Sequence, residues 1–199
     1  MESAFTEIYK KNIWGGGSGT GSNMSRHNQK YIDILQEVIK DNDIETICDI
    51  GCGDWEFSHH IDFGDIRYMG VDCVDSVITE NKRLYGTDTI TFEKNLAGED
   101  YIPEGYDLVI LKDVIQHWSD DDILKYLPMI LERNTFVFVT NGYKFMRDPK
   151  KNLLPTRDIS NRYRYHPVDI AKYPLSKFED HLVSSQNYFA KQMNLLKIS

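Results

Sequence analysis

Thr46-Ile-Cys-Asp-Ile-Gly-Cys-Gly-Asp-Trp55 is the stretch on which the fold turns. Its first five residues form a short apolar run without helical period, which reads as a buried strand. Gly51 and Gly53 then permit a tight turn and let the backbone approach a ligand with no Cβ in the way. Asp49 and Asp54 flank that turn, so the site suits a ligand carrying an ammonium group and repels a pyrophosphate. Tyr68-Met-Gly-Val71 is a second strand ending at Asp72, 21 residues after Gly51, where a carboxylate can accept two ribose hydroxyls. In open α/β sheets, ligands bind at such carboxyl strand ends.

Outward from this core the pattern of strand, turn and helix repeats. Val74 to Leu84 reads as a helix, Thr89 to Phe92 as a weaker third strand, and Tyr106 to Leu111 as a fourth. A helix from about Asp120 to Glu132 follows, then a fifth strand, Thr135 to Thr140. Short apolar strands alternating with helices predict a parallel sheet covered on both faces. His181 to Tyr188 and Lys191 to Ile198 can pair as an antiparallel hairpin at its end. The expectation is a doubly wound α/β fold with a mostly parallel seven-stranded sheet.

The 199 residues suit one domain with a substantial core. Within it, residues 1–24 hold a short amphipathic helix, Ser3 to Asn12, and the run Trp14 to Ser22, which contains five glycines. That run reads as a linker or as a lid folded over a ligand. Ser25 can cap a helix reaching about Lys40, with Ile32, Leu35, Val38 and Ile39 on one face. Residues 141–180 hold four prolines and no long apolar period, an irregular excursion of the kind that is often functional.

Composition narrows the partners. A net charge of −8 disfavours unselective nucleic-acid binding, although Tyr143 to Lys172 carries eight Lys/Arg against three Asp, a local balance of +5. No apolar run is long enough to span a membrane, and the N-terminus lacks a secretion signal. With only Cys48, Cys52 and Cys73, no disulfide framework is expected and a reducing cytoplasm is the natural setting. His59, His60 and Asp62 could suggest a metal site, but neighbouring side chains there point apart, and no metal is expected.

Nicotinamide-binding folds also use Gly-x-Gly, but they want a third small residue where this chain has Glu56. Cys48 to Trp55 together with Gly70-Val-Asp72 closely resembles the motifs of class I S-adenosylmethionine-dependent methyltransferases. Three further stretches resemble a small subgroup associated with glycan and sugar modification. They are Trp14-Gly with its glycine run, Leu111-Lys-Asp-Val-Ile-Gln-His-Trp118, and the segment from Asp158-Ile to Tyr163-Arg-Tyr-His-Pro-Val-Asp169. The resemblance implies S-adenosylmethionine as cofactor, S-adenosylhomocysteine as product, and a sugar hydroxyl as methyl acceptor. It implies cofactor contacts from Trp14, Gly15, Asp49, Gly51, Cys52, Gly53, Asp54, Trp55, Asp72, Cys73, Lys112 and Asp113. After the third strand the subgroup often has an Asp near the adenine amine, where this chain has Asn95-Leu96.

Removing a sugar hydroxyl's proton needs a base. His117 fits, because neutral imidazole is available at pH 7 and the fourth strand's end faces the ligand. Asp113 could orient it or take the proton itself, while a plainer role for His117 is to cap the following helix. Arg162, Tyr163, Arg164 and Tyr165 fit a substrate lid. A transfer-RNA or cap methyltransferase would use the same basic segment for phosphates, and a non-catalytic module would bind the cofactor without turnover.

Overall fold

β1 (Thr46–Ile50) is buried at every residue but its first, the carboxylate of Asp49 included. The computed structural model describes residues 2–19, 26–95, 101–143 and 168–198. They fall into two compact units, Met1–Tyr101 and Ile102–Ser199. Leu96, Ser25, residues 20–22 of the glycine run, and the whole set Arg162, Tyr163, Arg164 and Tyr165 lie outside the described residues.

In the first unit, β1 pairs parallel with β2 (Arg67–Asp72), which pairs parallel with β3 (Ile90–Lys94). Helix α1 spans Glu2–Lys10 and α2 spans Arg26–Asp41. The apolar face of α2 is centred on Tyr31, Ile32, Ile34 and Leu35, all buried, while Val38 and Ile39 are half-buried. Tyr31 turns that face by packing edge-on against Phe57, ring centroids 5.8 Å apart. Helix α3 (Asp75–Tyr85) packs against β2 and β3 and buries Val77, Ile78 and Asn81.

In the second unit, β4 (Leu108–Lys112) pairs parallel with β5 (Phe136–Gly142). The fourth strand begins two residues later than its apolar run, because Asn134 Oδ1 takes the Tyr106 amide at 3.0 Å. Helix α4 (Asp120–Arg133) opens with a capping box, Ser119 accepting from the Asp122 amide while the Asp122 carboxylate takes the Ser119 amide. Its apolar face, Ile123, Tyr126, Leu127, Ile130 and Leu131, is buried. β6 (Leu182–Tyr188) and β7 (Lys191–Leu196) form the expected antiparallel hairpin.

β5 outlasts its expected end at Thr140, since Asn141 and Gly142 pair with Gln192 and Lys191 of antiparallel β7. Asn141 and Gly142 therefore belong to the sheet, residues 144–167 of the expected excursion lie outside the described residues, and Leu175–His181 is a 3-10 turn. The strand order is β3-β2-β1 in the first unit, all parallel, and β4-β5-β7-β6 in the second, with β7 antiparallel to both neighbours. This is the doubly wound α/β sheet that the sequence predicts. No helix among the described residues is long and apolar enough to cross a membrane.

Candidate functional site

The turn after β1 is drawn tight by Val71. Its carbonyl accepts from the Gly51 amide at 2.7 Å and the Cys52 amide at 3.1 Å. Gly51 and Gly53 sit at φ of 71° and 59°, where a side chain is strained. Asn81 of α3 donates from Nδ2 to the Gly53 carbonyl at 2.7 Å, fixing the turn from the side. Sequence reading missed Asn81, although a buried amide beside Val77 and Ile78 on a helix's apolar face was a visible signal.

Asp72 ends β2 and is buried. Its Oδ2 accepts from the Gly53 amide at 3.2 Å and its Oδ1 from the Val74 amide at 2.9 Å. Burial pushes its carboxyl up from the ordinary value, and these amides pull it back only in part. The amide and thiol of Cys73 bond to it as well, and an ionised carboxylate only accepts. Two ribose hydroxyls are donors of the right kind, and the residues present fit an adenosine cofactor.

Asp49 is held by a buried chain of donors. Trp55 Nε1 donates to the Tyr68 hydroxyl at 2.9 Å, and Tyr68 donates to Asp49 Oδ2 at 2.7 Å. Trp55 itself stands at φ 58°, a costly conformation for a bulky residue. Its ring is buried against Phe63, Tyr68, Tyr85 and Phe92. Trp55 therefore acts on the site through Tyr68. Cys52 is buried, Cys73 is half-buried, and none of the three cysteines is in a disulfide; burial pushes the Cys52 thiol well up. Asn95 follows β3, its amide donating to the Asp72 carbonyl at 3.0 Å. His59 stacks on Tyr85 with centroids 5.3 Å apart.

The described part of the glycine run is seated on this turn. Trp14 packs edge-on against Phe5 and Tyr9 of α1, both centroid distances 6.0 Å. Gly15 to Gly19 then bring Ser18 to Asp54, and the Tyr9 hydroxyl lies 2.6 Å from Ser18 Oγ. A Cβ on Gly17 would meet Asp54 Oδ2 at 1.8 Å, and one on Gly53 would meet Ser18 Oγ at 2.4 Å. The glycines are thus what lets the two loops interlock. Alongside, Tyr9, Lys10, Asp54, Glu56, Glu80 and Asn81 are among the residues lining a cleft of about 640 Å³.

In the second unit, Asp113 follows β4 at φ 61°. Its Oδ2 accepts from Lys112 Nζ at 3.1 Å and also from Lys191 Nζ. Burial would raise the Asp113 carboxyl, but the two ammonium groups reverse that and hold it at about 2. So low a value makes Asp113 a weak proton acceptor at neutral pH. Lys191, which sequence reading missed, is pushed down by burial and by Lys112. His117 closes the 3-10 turn Ile115–His117, its Nε2 3.5 Å from Gln116 Nε2. The helix-capping role belongs to Ser119 instead.

No family model matches the chain, and no curated protein matches it in sequence. Solved structures do match its fold. The methyltransferase domain of bacterial CtHen1 superposes with a TM-score of 0.65 at 16% identity, covering 87% of this chain and 100% of that one. Magnesium protoporphyrin IX methyltransferase from Synechocystis PCC 6803, with bound SAH, gives 0.63 at 14%, covering 86% and 84%. An S-adenosylmethionine-dependent methyltransferase from Clostridium acetobutylicum ATCC 824 gives 0.63 at 13%, covering 98% of each chain. The fold is that of the class I S-adenosylmethionine-dependent methyltransferases. At these identities the likeness is one of fold, and it does not choose an acceptor.

Proposed function

We propose that the chain is an S-adenosylmethionine-dependent O-methyltransferase acting on a hydroxyl of a small acceptor, a sugar of a glycan. The observation that supports the cofactor is Asp72, a carboxylate buried at the end of β2 and bonded to the Gly53 amide of a glycine turn. The acceptor class rests on the sequence resemblance of the Trp14, Leu111–Trp118 and Asp158–Asp169 stretches.

When bound, the cofactor supplies a methyl group made electrophilic by a sulfonium centre. Asp72 accepts the ribose hydroxyls, and Asp49, aimed by Tyr68, takes the ammonium group. Asp54 shares that task while holding the glycine run, and Gly51, Cys52 and Gly53 bring backbone close to the ligand. Trp14, Gly15, Cys73, Asn95, Leu96 and Lys112 complete the cofactor contacts. His117 would take the proton of the acceptor hydroxyl, while the bound cofactor would supply the methyl group by breaking its sulfur–carbon bond and leave as S-adenosylhomocysteine. Arg162, Tyr163, Arg164 and Tyr165 contact the acceptor. The work takes place in a single functional domain in the cytoplasm.

The reading is tested by incubating the chain with methyl-labelled cofactor and three acceptor pools: nucleotide-sugars, free glycans and RNA. Label is expected in a sugar hydroxyl. Label in RNA, lost at raised salt, would replace this reading by an RNA methyltransferase.

A further inference from the structure

Gln116 and Asn141 meet where β4 and β5 end. Gln116 lies in the 3-10 turn Ile115–His117 that follows β4, and Asn141 is the second-last residue of β5. The Gln116 amide donates to Asn141 Oδ1 at 3.3 Å, which commits that oxygen and leaves Nδ2 as the other polar group of the side chain. Opposed residues of neighbouring strands share a face, and Gln192 stands opposite Asn141. Gln192 Oε1 already accepts from the Ile170 amide at 2.8 Å and from Asn194 Nδ2 at 3.1 Å, so both of its acceptor positions are filled.

Two complementary groups are left over. Asn141 Nδ2, a donor, and Gln116 Oε1, an acceptor, are buried with no hydrogen-bond partner, in residues 2% and 8% exposed. Buried polar groups are satisfied in folded proteins with few exceptions, and an exception calls for a ligand or an ordered water. The turn that carries Gln116 lies near the surface, since Asp113, Val114 and His117 along it are only half-buried. Gln116 Nε2 lies 3.5 Å from His117 Nε2, so the leftover groups adjoin the residue proposed as base. Both residues sit at carboxyl strand ends, where open α/β sheets bind their ligands.

We infer that Gln116 and Asn141 form a subsite for a second hydroxyl of the methyl acceptor, next to the hydroxyl that His117 deprotonates. A hydroxyl suits the pair because it donates and accepts at once: it donates to Gln116 Oε1 and accepts from Asn141 Nδ2. A carboxylate or an ether has no proton to give Gln116 Oε1. The acceptor class this specifies is a neutral vicinal diol, the pattern found around a sugar ring. The word acceptor rests on the proposed methyl transfer, while the preference for a diol rests on the two side-chain amides.

Two measurements on the full chain decide this. The first follows the Asn141 side-chain amide by NMR during titration with cyclohexane-1,2-diol, cyclohexanol and 2-methoxycyclohexanol, with and without saturating S-adenosylhomocysteine. The diol should shift that amide saturably and bind about fivefold or more tighter than the other two, the worth of one net hydrogen bond. Gln116→Met, close in size but without the amide, should erase the margin. The second is urea unfolding of Gln116→Met without ligand. An oxygen with no partner in the free chain adds nothing to its stability, and a 3.5 Å contact through Nε2 adds little. The midpoint should therefore hold or rise while the preference for the diol is lost. A fall in midpoint would mean that ordered water already satisfies the oxygen, and would overturn the inference. Equal affinity for the three probes, or a margin that survives Gln116→Met, would overturn it too. Failure of the wild type to bind S-adenosylhomocysteine would sink the methyl-transfer reading instead, and the cofactor-free titrations would still decide the hydroxyl subsite.

Discussion

Ser18 and Asp54 hold each other by reciprocal hydrogen bonds: the Ser18 amide donates to Asp54 Oδ2 at 2.7 Å, and the Asp54 amide donates to Ser18 Oγ at 2.8 Å. The glycine run is therefore latched onto the β1 turn by two bonds that need no ligand. Ser18→Ala removes one of them and leaves the Asp54 amide without its acceptor. A net hydrogen bond is worth about 1 kcal/mol, so amides from Gly15 to Gly19 should exchange roughly fivefold faster with solvent. Hydrogen exchange followed by mass spectrometry reads this directly. Unchanged exchange would mean that the latch does not hold the run in place.

Tyr68 is a hinge of a different kind, since one hydroxyl serves both Trp55 and Asp49. Tyr68→Phe strands a buried indole N–H and removes a donor from a buried carboxylate. The expected loss of stability is about 1–3 kcal/mol, with weaker cofactor affinity through Asp49. Urea unfolding checks the first and calorimetry the second. A variant as stable as the wild type would show that the chain of donors carries no weight.

How far the sequence reached follows from how local each signal is. β1 and its turn were legible because the short strand Thr46–Ile50 runs directly into Gly51-Cys52-Gly53. The C-terminal hairpin was legible from two strand-like runs with a short connection. The Asp113–Lys191 contact joins residues 78 apart, and Ser18–Asp54 joins residues 36 apart. No periodicity reports such pairings, because they depend on register and loop path. The end of β5 was misplaced for the same reason, its last residues being fixed by β7 rather than by their own character. His117 could be found as a residue type at a strand end, whereas the two lysines that hold the Asp113 carboxyl down are brought to it by register and loop path.

The lysine-bound carboxylate also sets a pH dependence. The folded Asp113 value, about 2, lies below the ordinary 3.8, so ionised Asp113 favours the folded state. That contribution is full above about pH 4 and disappears as pH falls through the folded value near 2. Part of it is offset by the cost of burying Lys191. Asp113→Asn should thus lower stability by about 1–2 kcal/mol at pH 6, with the gap to wild type closing toward pH 2. Urea unfolding across that range gives the answer, and a gap that stays constant would show that the two lysines do not hold the carboxylate down.

For catalysis, His117→Ala should cut turnover on the true acceptor by roughly 10²–10⁴-fold, the usual share of general base catalysis. The wild-type rate should rise with pH as the imidazole loses its proton, and the variant should lose that limb. Cofactor affinity should hardly move. Near-normal turnover in the variant would remove His117 from the mechanism.

The central claim, that this fold binds S-adenosylmethionine through the acid at the end of β2, is tested most directly by calorimetric titration of wild type and Asp72→Ala. Wild type should bind S-adenosylmethionine and S-adenosylhomocysteine saturably at one site and show no comparable binding of a nicotinamide dinucleotide. Asp72→Ala, still folded, should bind both about 1–3 kcal/mol more weakly through lost charge-assisted hydrogen bonds to the ribose. Saturable nicotinamide dinucleotide binding in their place, or an affinity that Asp72→Ala leaves unchanged, would contradict the account.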